Sequence, residues 1–401
     1  MLERLRNLLA APERKASRTG RLIALDNGGR ARWTPRDYAA LSREGYGRNA
    51  IVYRAVRLIA EAAGSVAYVL YEGAAELSAH PLLDLVARPN PRQDGATFLE
   101  SVACSLMLSG NAYIEAVGVA GEANVRELYA LRPDRMKVVP GPDGWPAAYD
   151  YTVNGASVRF DQTPGSSPGV TNFQPPILQL TLYNPLDDYY GQSPLEAAAV
   201  AVDTHNAAAK WNKALLDNAA RPSGALVYDG ADGAVMSDAQ FERLKKELAD
   251  QYQGTANAGR PLLLEGGLDW KAMSLSPKDM DFMEAKHAAA REIALAFGVP
   301  PMLLAIPGDN TYSNYQEANR VFWRQTVLPL ANRIGAALAQ WLSPSFGSGL
   351  SLVPDADRVE ALNPDRAALW ERVSKAPFLT VNEKRAATGY GAVTGGDVVA
   401  G

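Results

Sequence analysis

The chain has 401 residues, 47% of them hydrophobic, with a formal net charge of -4 and an isoelectric point near 5.6. That is ample apolar material for a buried core in two or three sub-domains, and it excludes a disordered chain. The acidic balance argues against a domain that wraps duplex DNA by neutralising phosphates, since such domains are clearly basic; any DNA would be passed or excluded, not gripped.

The start, Met1 to Arg18, carries Leu2, Leu5, Leu8 and Leu9 among Arg4, Arg6, Arg14, Lys15 and Arg18. Charges interrupt it too early for the apolar core of a signal peptide, so residues 1–40 are read as a basic, partly helical tail outside the core. From Arg48 to Ala63, the residues Ile51, Val52, Ala55, Val56, Ile59 and Ala60 share one helical face and define the first core helix. His80-Pro81-Leu82 opens a shorter helix, and Arg88-Pro89-Asn90-Pro91 ends it because proline and the residue before it resist the helical region. A third helix, Ala96 to Leu108, stops at Gly110. The period then changes. Asn111 to Val117, Val125 to Leu131, Ala147 to Val153 and Ile177 to Leu182 are short Tyr, Val, Ile and Leu-rich runs between Gly, Pro and Asn clusters, the pattern of antiparallel strands.

Gly191-Gln192-Ser193-Pro194 places a serine cap before a first-turn proline, and an alanine-rich helix follows to about Ala220. At a rise of about 1.5 Å per residue it is roughly 40 Å long. Arg221-Pro222-Ser223-Gly224 breaks it and leads into a compact α/β insert: strand Ala225 to Tyr228, helix Ser237 to Tyr252, and strands Pro261 to Glu265 and Trp270 to Ser274. Helix resumes near Pro277 and stops at Gly298, so a small module sits between two long helices. In Phe297-Gly298-Val299-Pro300-Pro301 a glycine able to take positive φ precedes two prolines, which should forbid resumption and form a hinge. The loop Ala305 to Asn310 has no lysine or arginine. The final long helix, Tyr312 to Leu342, contains Pro329 and should bend there. A strand near Leu350 to Val353 and a terminal helical segment, Asn363 to Thr388, complete the chain.

Little in this sequence points to catalysis. Cys104 is the only cysteine, so neither a disulfide framework nor a cysteine zinc site can form within one chain. His80, His205 and His287 are far apart, and none belongs to a His-Glu-x-x-His pattern; no metal and no cofactor are expected. The pairs Asp279/Asp281 and Asp355/Asp357 lack further convergent ligands for two-metal chemistry, and Tyr189-Tyr190 beside Asp187-Asp188 is read as surface. No apolar run approaches the roughly 20 residues that span a bilayer, so no membrane partner is expected.

Eight segments carry a family resemblance: His80-Pro81-Leu82 with Arg88-Pro89-Asn90-Pro91; Gly110-Asn111-Ala112-Tyr113; Glu127-Leu128-Tyr129 with Leu131-Arg132-Pro133; Gly191 to Leu195; Asn218 to Gly224; Phe297 to Leu304; Tyr312-Ser313-Asn314; and Leu379 to Glu383 with Gly395-Gly396-Asp397. With these segments, in this order, the chain resembles the portal proteins of tailed bacteriophages and phage-derived gene transfer agents, the head-to-tail connectors of the particle. The resemblance implies an α+β portal fold and a cyclic homo-oligomer, a dodecamer of about twelve subunits closed through heterologous interfaces. It implies a wing over 41–192 and 312–362, stem helices over 193–220 and 277–298, a clip over 221–276, a tunnel loop over 299–311 and a short crown over 363–401.

Gly308, Asp309, Asn310 and Thr311 would then face the channel. Without a cation they leave double-stranded DNA a shallow path, where a ring of lysines would hold phosphate in deep wells. Glu242, Arg243, Lys245 and Lys246 on the clip helix would face partners. The partners implied are a terminase packaging motor, head-tail adaptor proteins and the major capsid protein, in a virion or phage-like particle assembled in the bacterial cytoplasm. An enzymatic reading, a packaging motor or DNA-processing enzyme, would need a phosphate-cradling Gly-x-x-x-x-Gly-Lys-Ser/Thr loop, and the sequence holds none. Another connector or minor capsid component fits the composition but not the ordered segments.

Overall fold

Helix ends in this chain are written into its caps. The computed structural model describes residues 34, 37–118, 125–162, 174–217, 224–228, 243, 246, 268–272, 282–308 and 312–398. The elements below belong to Pro35–Gly401.

Helix α1 (Tyr38–Glu44) is capped by Asp37, and α2 (Ala50–Ser65) by Asn49, whose side-chain oxygen accepts the amides of Ile51 and Val52. The buried stripe of α2, Val52, Ala55, Val56, Ile59, Ala60 and Ala63, is the face that its period predicts. Strands β1 (Tyr68–Glu72) and β2 (Ala75–Leu77) follow, then α3 (Pro81–Ala87) capped by His80, and α4 (Gly95–Ser109) capped by Asp94 and closed by Gly110 at φ 74°. Next come β3 (Asn111–Gly118), β4 (Val125–Leu131), β5 (Met136–Pro140), β6 (Pro146–Val153), β7 (Ala156–Asp161) and β8 (Ile177–Thr181). Strand β3 lies between β4 and β8, while β5, β6 and β7 form an antiparallel meander.

The expected stem helix is interrupted. A short α5 (Pro194–Ala197) is followed by α6 (Ala199–Asp217), because the Ala198 amide turns back to the carbonyls of Glu196 and Pro194. Strands β9 (Gly224–Tyr228) and β10 (Leu268–Ala272) pair antiparallel, so the two ends of the insert meet. The expected strand Pro261 to Glu265 and nearly all of the helix Ser237 to Tyr252 lie outside the described residues; within that helix Arg243 and Lys246 are described, both helical and exposed. The expected helix after the insert is described as α7 (Phe282–Ala296).

Helix α8 (Tyr312–Phe322) runs into α9 (Leu328–Phe346) through a π-helical segment, Trp323–Val327. The disturbance therefore sits just upstream of Pro329. Proline has no amide to donate, and the register is reset one residue earlier, where Leu328 N–H reaches Trp323 O. The helix also continues past the expected end at Leu342, through Pro344 to Phe346; Gln174 Nε2 donates to Trp341 O at 2.9 Å within a turn of that proline. Strand β11 (Leu350–Pro354) pairs with β1. The C-terminal segment is two helices, α10 (Asn363–Ser374) and α11 (Val381–Ala387), since Pro377 interrupts it and Thr380 with Glu383 starts a new capping box.

The main core joins α2, α4, α7 and α9 through Ile59, Phe98, Leu106, Ile293 and Ile334. A second cluster, Tyr113, Met136, Val138, Tyr149 and Ile177, lies between the sheets, and Tyr189 and Tyr190 pack against it. Tyr190 Oη also accepts the Val138 amide at 2.9 Å, so this pair, expected at the surface, is half-buried and packs its rings against the second core.

Candidate functional site: the arm between stem and kinked helix

The stop after α7 has the expected cause. Gly298 takes φ 65°, and the amide of Val299 returns to Ala294 O at 2.9 Å. The two prolines do not forbid all helix, however. Pro301–Leu304 forms one 3-10 turn, since a proline in the first turn needs no amide donor, and Ala305 ends it in the left-handed region at φ 55°. Leu304 and Ile306 are buried, whereas Ala305, Pro307 and Gly308 are exposed.

Side chains from two helices grip this arm. On α7, Arg291 donates through Nη2 to Pro307 O. In the π segment, Thr326 Oγ1 donates to Gly298 O at 2.6 Å. Behind the arm lies a cleft of about 370 Å³ lined by Arg291, Pro301, Met302, Ile306, Glu317 and Val321. Of the residues expected to face a channel, Gly308 is the exposed end of the described arm; Asp309, Asn310 and Thr311 lie outside the described residues. Of the expected docking residues, Arg243 and Lys246 stand three apart on a helix, as one face requires, and Glu242 and Lys245 are not described.

A second junction ties α6 to the body. The Asn49 oxygen is occupied by its two capping bonds, which leaves its amide nitrogen to donate to His205 Nδ1 at 3.1 Å and Asn206 Oδ1 at 3.0 Å. Asn206 passes the chain on, donating to Glu44 O at 2.8 Å. His205 Nδ1 must therefore be an acceptor, and the proton of the neutral ring sits on Nε2. Burial, with the charges of Lys286 and His287 on the facing helix, holds this imidazole below its ordinary range.

The C-terminal helices are tied to the kinked helix by ions: Arg320 meets Glu317 at 3.0 Å and Asp365 at 3.6 Å, and Arg324 meets Asp365 at 3.8 Å. Asp355 and Asp357 are engaged by Arg358, by Arg366 and by the Tyr390 hydroxyl. Burial pushes the Cys104 thiol up to about 11, which leaves it unreactive at neutral pH. Among the described residues no group of three or more His, Cys, Asp or Glu could hold a metal ion, and no helix is long and apolar enough to cross a membrane.

Arg291 and Thr326 have no mark in the sequence that sets them apart, and nothing local ties Asn49 to His205. Each acts on a partner 16, 28 or 156 residues away, and only the fold brings them together.

Two long helices joined in the chain through a two-stranded sheet, an α+β body, and an arm between α7 and a π-kinked helix are the features of a scaffold protein of the phage connector class. The model of the family described as "Phage portal protein" matches residues 50–389, and the chain belongs to that family. An uncharacterized protein of Rickettsia bellii (strain RML369-C) is 42% identical over 356 residues, covering 88% of this chain and 90% of its own. The portal protein of Escherichia phage T5 is 27% identical over 290 residues, covering 71% and 63%. Among solved structures, a chain in the neck of a native gene transfer agent particle, computed with C12 symmetry, is 52% identical with a TM-score of 0.67, over 94% of this chain and 99% of that one.

Proposed function

We propose that this chain forms the portal of a phage-like particle of the gene transfer agent type: twelve copies closed around a channel at one capsid vertex, through which double-stranded DNA is packaged, held and released. The observation that carries the reading is the 52% identity to a neck chain treated with C12 symmetry across 94% of this sequence. The exposed apolar side chains of the stem support it: Val200 and Trp211 on α6, and Met283 and Leu295 on α7, are surface that a ring of copies would cover.

In this reading residues 299–311 are the tunnel loop and face the channel. The clip, 221–276, docks a terminase motor and head-tail adaptors through the helix that holds Arg243 and Lys246. The wing meets the major capsid protein, and 363–401 form a short crown. Energy for packaging comes from the separate motor. Native mass spectrometry and electron micrographs of the purified protein are the test: a twelve-membered ring with a central hole is expected, and a monomer that persists at micromolar concentration across salt conditions would overturn the reading.

A further inference from the structure

We propose that Arg291 is the positioning residue of the arm: its guanidinium, and not packing, holds the exposed end of the 305–308 segment against the stem. The proposal rests on the reading of this arm as a channel loop only for its consequence on DNA; the grip itself stands on the geometry.

Three observations lead to it. First, the arm is poorly anchored by burial beyond Ile306. Pro307 and Gly308 are exposed, and the cleft of about 370 Å³ behind them leaves room into which the arm could move. Second, Arg291 supplies the missing anchor. It reaches the Pro307 carbonyl from α7, and a hydrogen bond with a charged donor is stronger than a neutral one. Third, Gly308 is shaped to that grip: a Cβ at this position would fall on the Arg291 guanidinium. Gly308 takes φ 156°, a conformation that residues with a Cβ rarely adopt, and it also leaves the room in which the arginine lies across it.

The arm is then held at both ends by different helices. Thr326 grips Gly298 from the π segment, and Arg291 grips Pro307 from the stem. A shift of α7 along its axis would pull the exposed end of the arm with it, while the entry at Gly298 would follow the kinked helix. The guanidinium is the only described side-chain link between the stem and the arm beyond Ile306, so it decides whether that end follows the stem or drifts into the cleft.

The experiment compares the purified ring and assembled particles carrying R291A, G308A and the double variant with the parent. Hydrogen exchange is read at the amides of Ala305 and Ile306, which bond to Met302 O at 3.2 Å and Pro301 O at 3.1 Å. Loss of a charged hydrogen bond should speed their exchange about tenfold or more in R291A, with ring size and melting temperature unchanged. G308A should speed exchange at least as much, because its Cβ displaces the guanidinium and also strains the backbone at φ 156°, and the double variant should exchange no faster than G308A, since the guanidinium is already displaced there. Unchanged exchange in R291A, or additive effects in the double variant, would overturn the proposal. DNA content per particle separates the two readings. Faster exchange with less retained DNA supports the grip and the channel assignment together, whereas faster exchange with parental DNA content keeps the grip and removes the arm from the DNA path.

Discussion

The junction between α4 and the 182–191 segment and the arm at 298–308 are both built around glycines, but the glycines are used in opposite ways. At the first, Gly110 and Gly191 bring two backbones together so closely that a Cβ on either would collide with the carbonyl of the other. Asn111 seals the contact, accepting the Gly191 amide at 2.9 Å, and Leu182 N–H reaches Gly110 O at 2.8 Å. No rotation of a side chain can loosen it. At the arm, Gly308 leaves room for a long exposed side chain, and the closure depends on one guanidinium and one hydroxyl. The body is fixed backbone to backbone, and the arm is held by groups that can let go, as the proposed channel loop would require.

The contrast can be broken most forcefully at Gly110. Substituting alanine there adds a methyl where Gly191 O sits and asks for φ 74° of a residue with a Cβ; a loss of about 4 kcal/mol or more is expected, read as failure to accumulate folded ring. Asn111→Ala should cost less, about 2 kcal/mol, because the buried Gly191 amide loses its acceptor while the backbone path survives. Denaturant unfolding of the two variants measures both, and an Asn111→Ala effect near zero would show that the junction is not sealed as described.

Acid offers a milder break at the second junction. The His205 imidazole is held neutral in the folded chain, with its pKa below the unfolded value, so the stability it contributes is present above the ordinary histidine range and is lost as pH falls through the folded value. Protonation puts a hydrogen on Nδ1 opposite the Asn49 amide and breaks that bond. The facing charges are Lys286 and His287 on α7, and both add to the penalty. The melting temperature should drop on acidification more for the parent than for His205→Gln, whose side-chain oxygen accepts from Asn49 and does not titrate; equal drops would place the acid sensitivity elsewhere. The smallest effect is expected at Thr326→Val, which removes one neutral bond to Gly298 O worth about 1 kcal/mol and should leave ring assembly intact while loosening the arm in hydrogen exchange.

How much of this could be read from the sequence depends on what each feature needs. Helices α2, α3 and α4 were legible from the apolar face of Ile51 to Ala60, from the opening at His80-Pro81-Leu82 and from the stop at Gly110, whereas the caps at Asn49 and Asp94 emerged only with the fold. Strand β7 was not, since its first four residues are all exposed and leave no alternation to find, and β1 draws its order from β11 near the far end of the chain. Pro329 announced a disturbance but not which turn would absorb it.

Several of the segments that suggested the family meet one another in the fold. Asn111 holds Gly191, Asn90 Nδ2 donates to Leu128 O at 2.9 Å, and the Asn382 amide reaches Gly396 O at 2.8 Å. They are cross-links of the scaffold, which is why they spoke for the fold and said nothing of Arg291. A cation that grips a carbonyl 16 residues away has no local pattern in a sequence.

The most direct test of the whole account places charge where DNA would pass. Asp309→Lys with Asn310→Lys adds some two dozen cations to a ring of about twelve subunits, and cations in such a groove bind phosphate strongly at low salt. DNA content is measured in particles assembled with this variant over a range of salt. Packaging that stalls at low salt and recovers as salt rises is the predicted result. Parental DNA content at every salt concentration would contradict the placement of this arm on the DNA path.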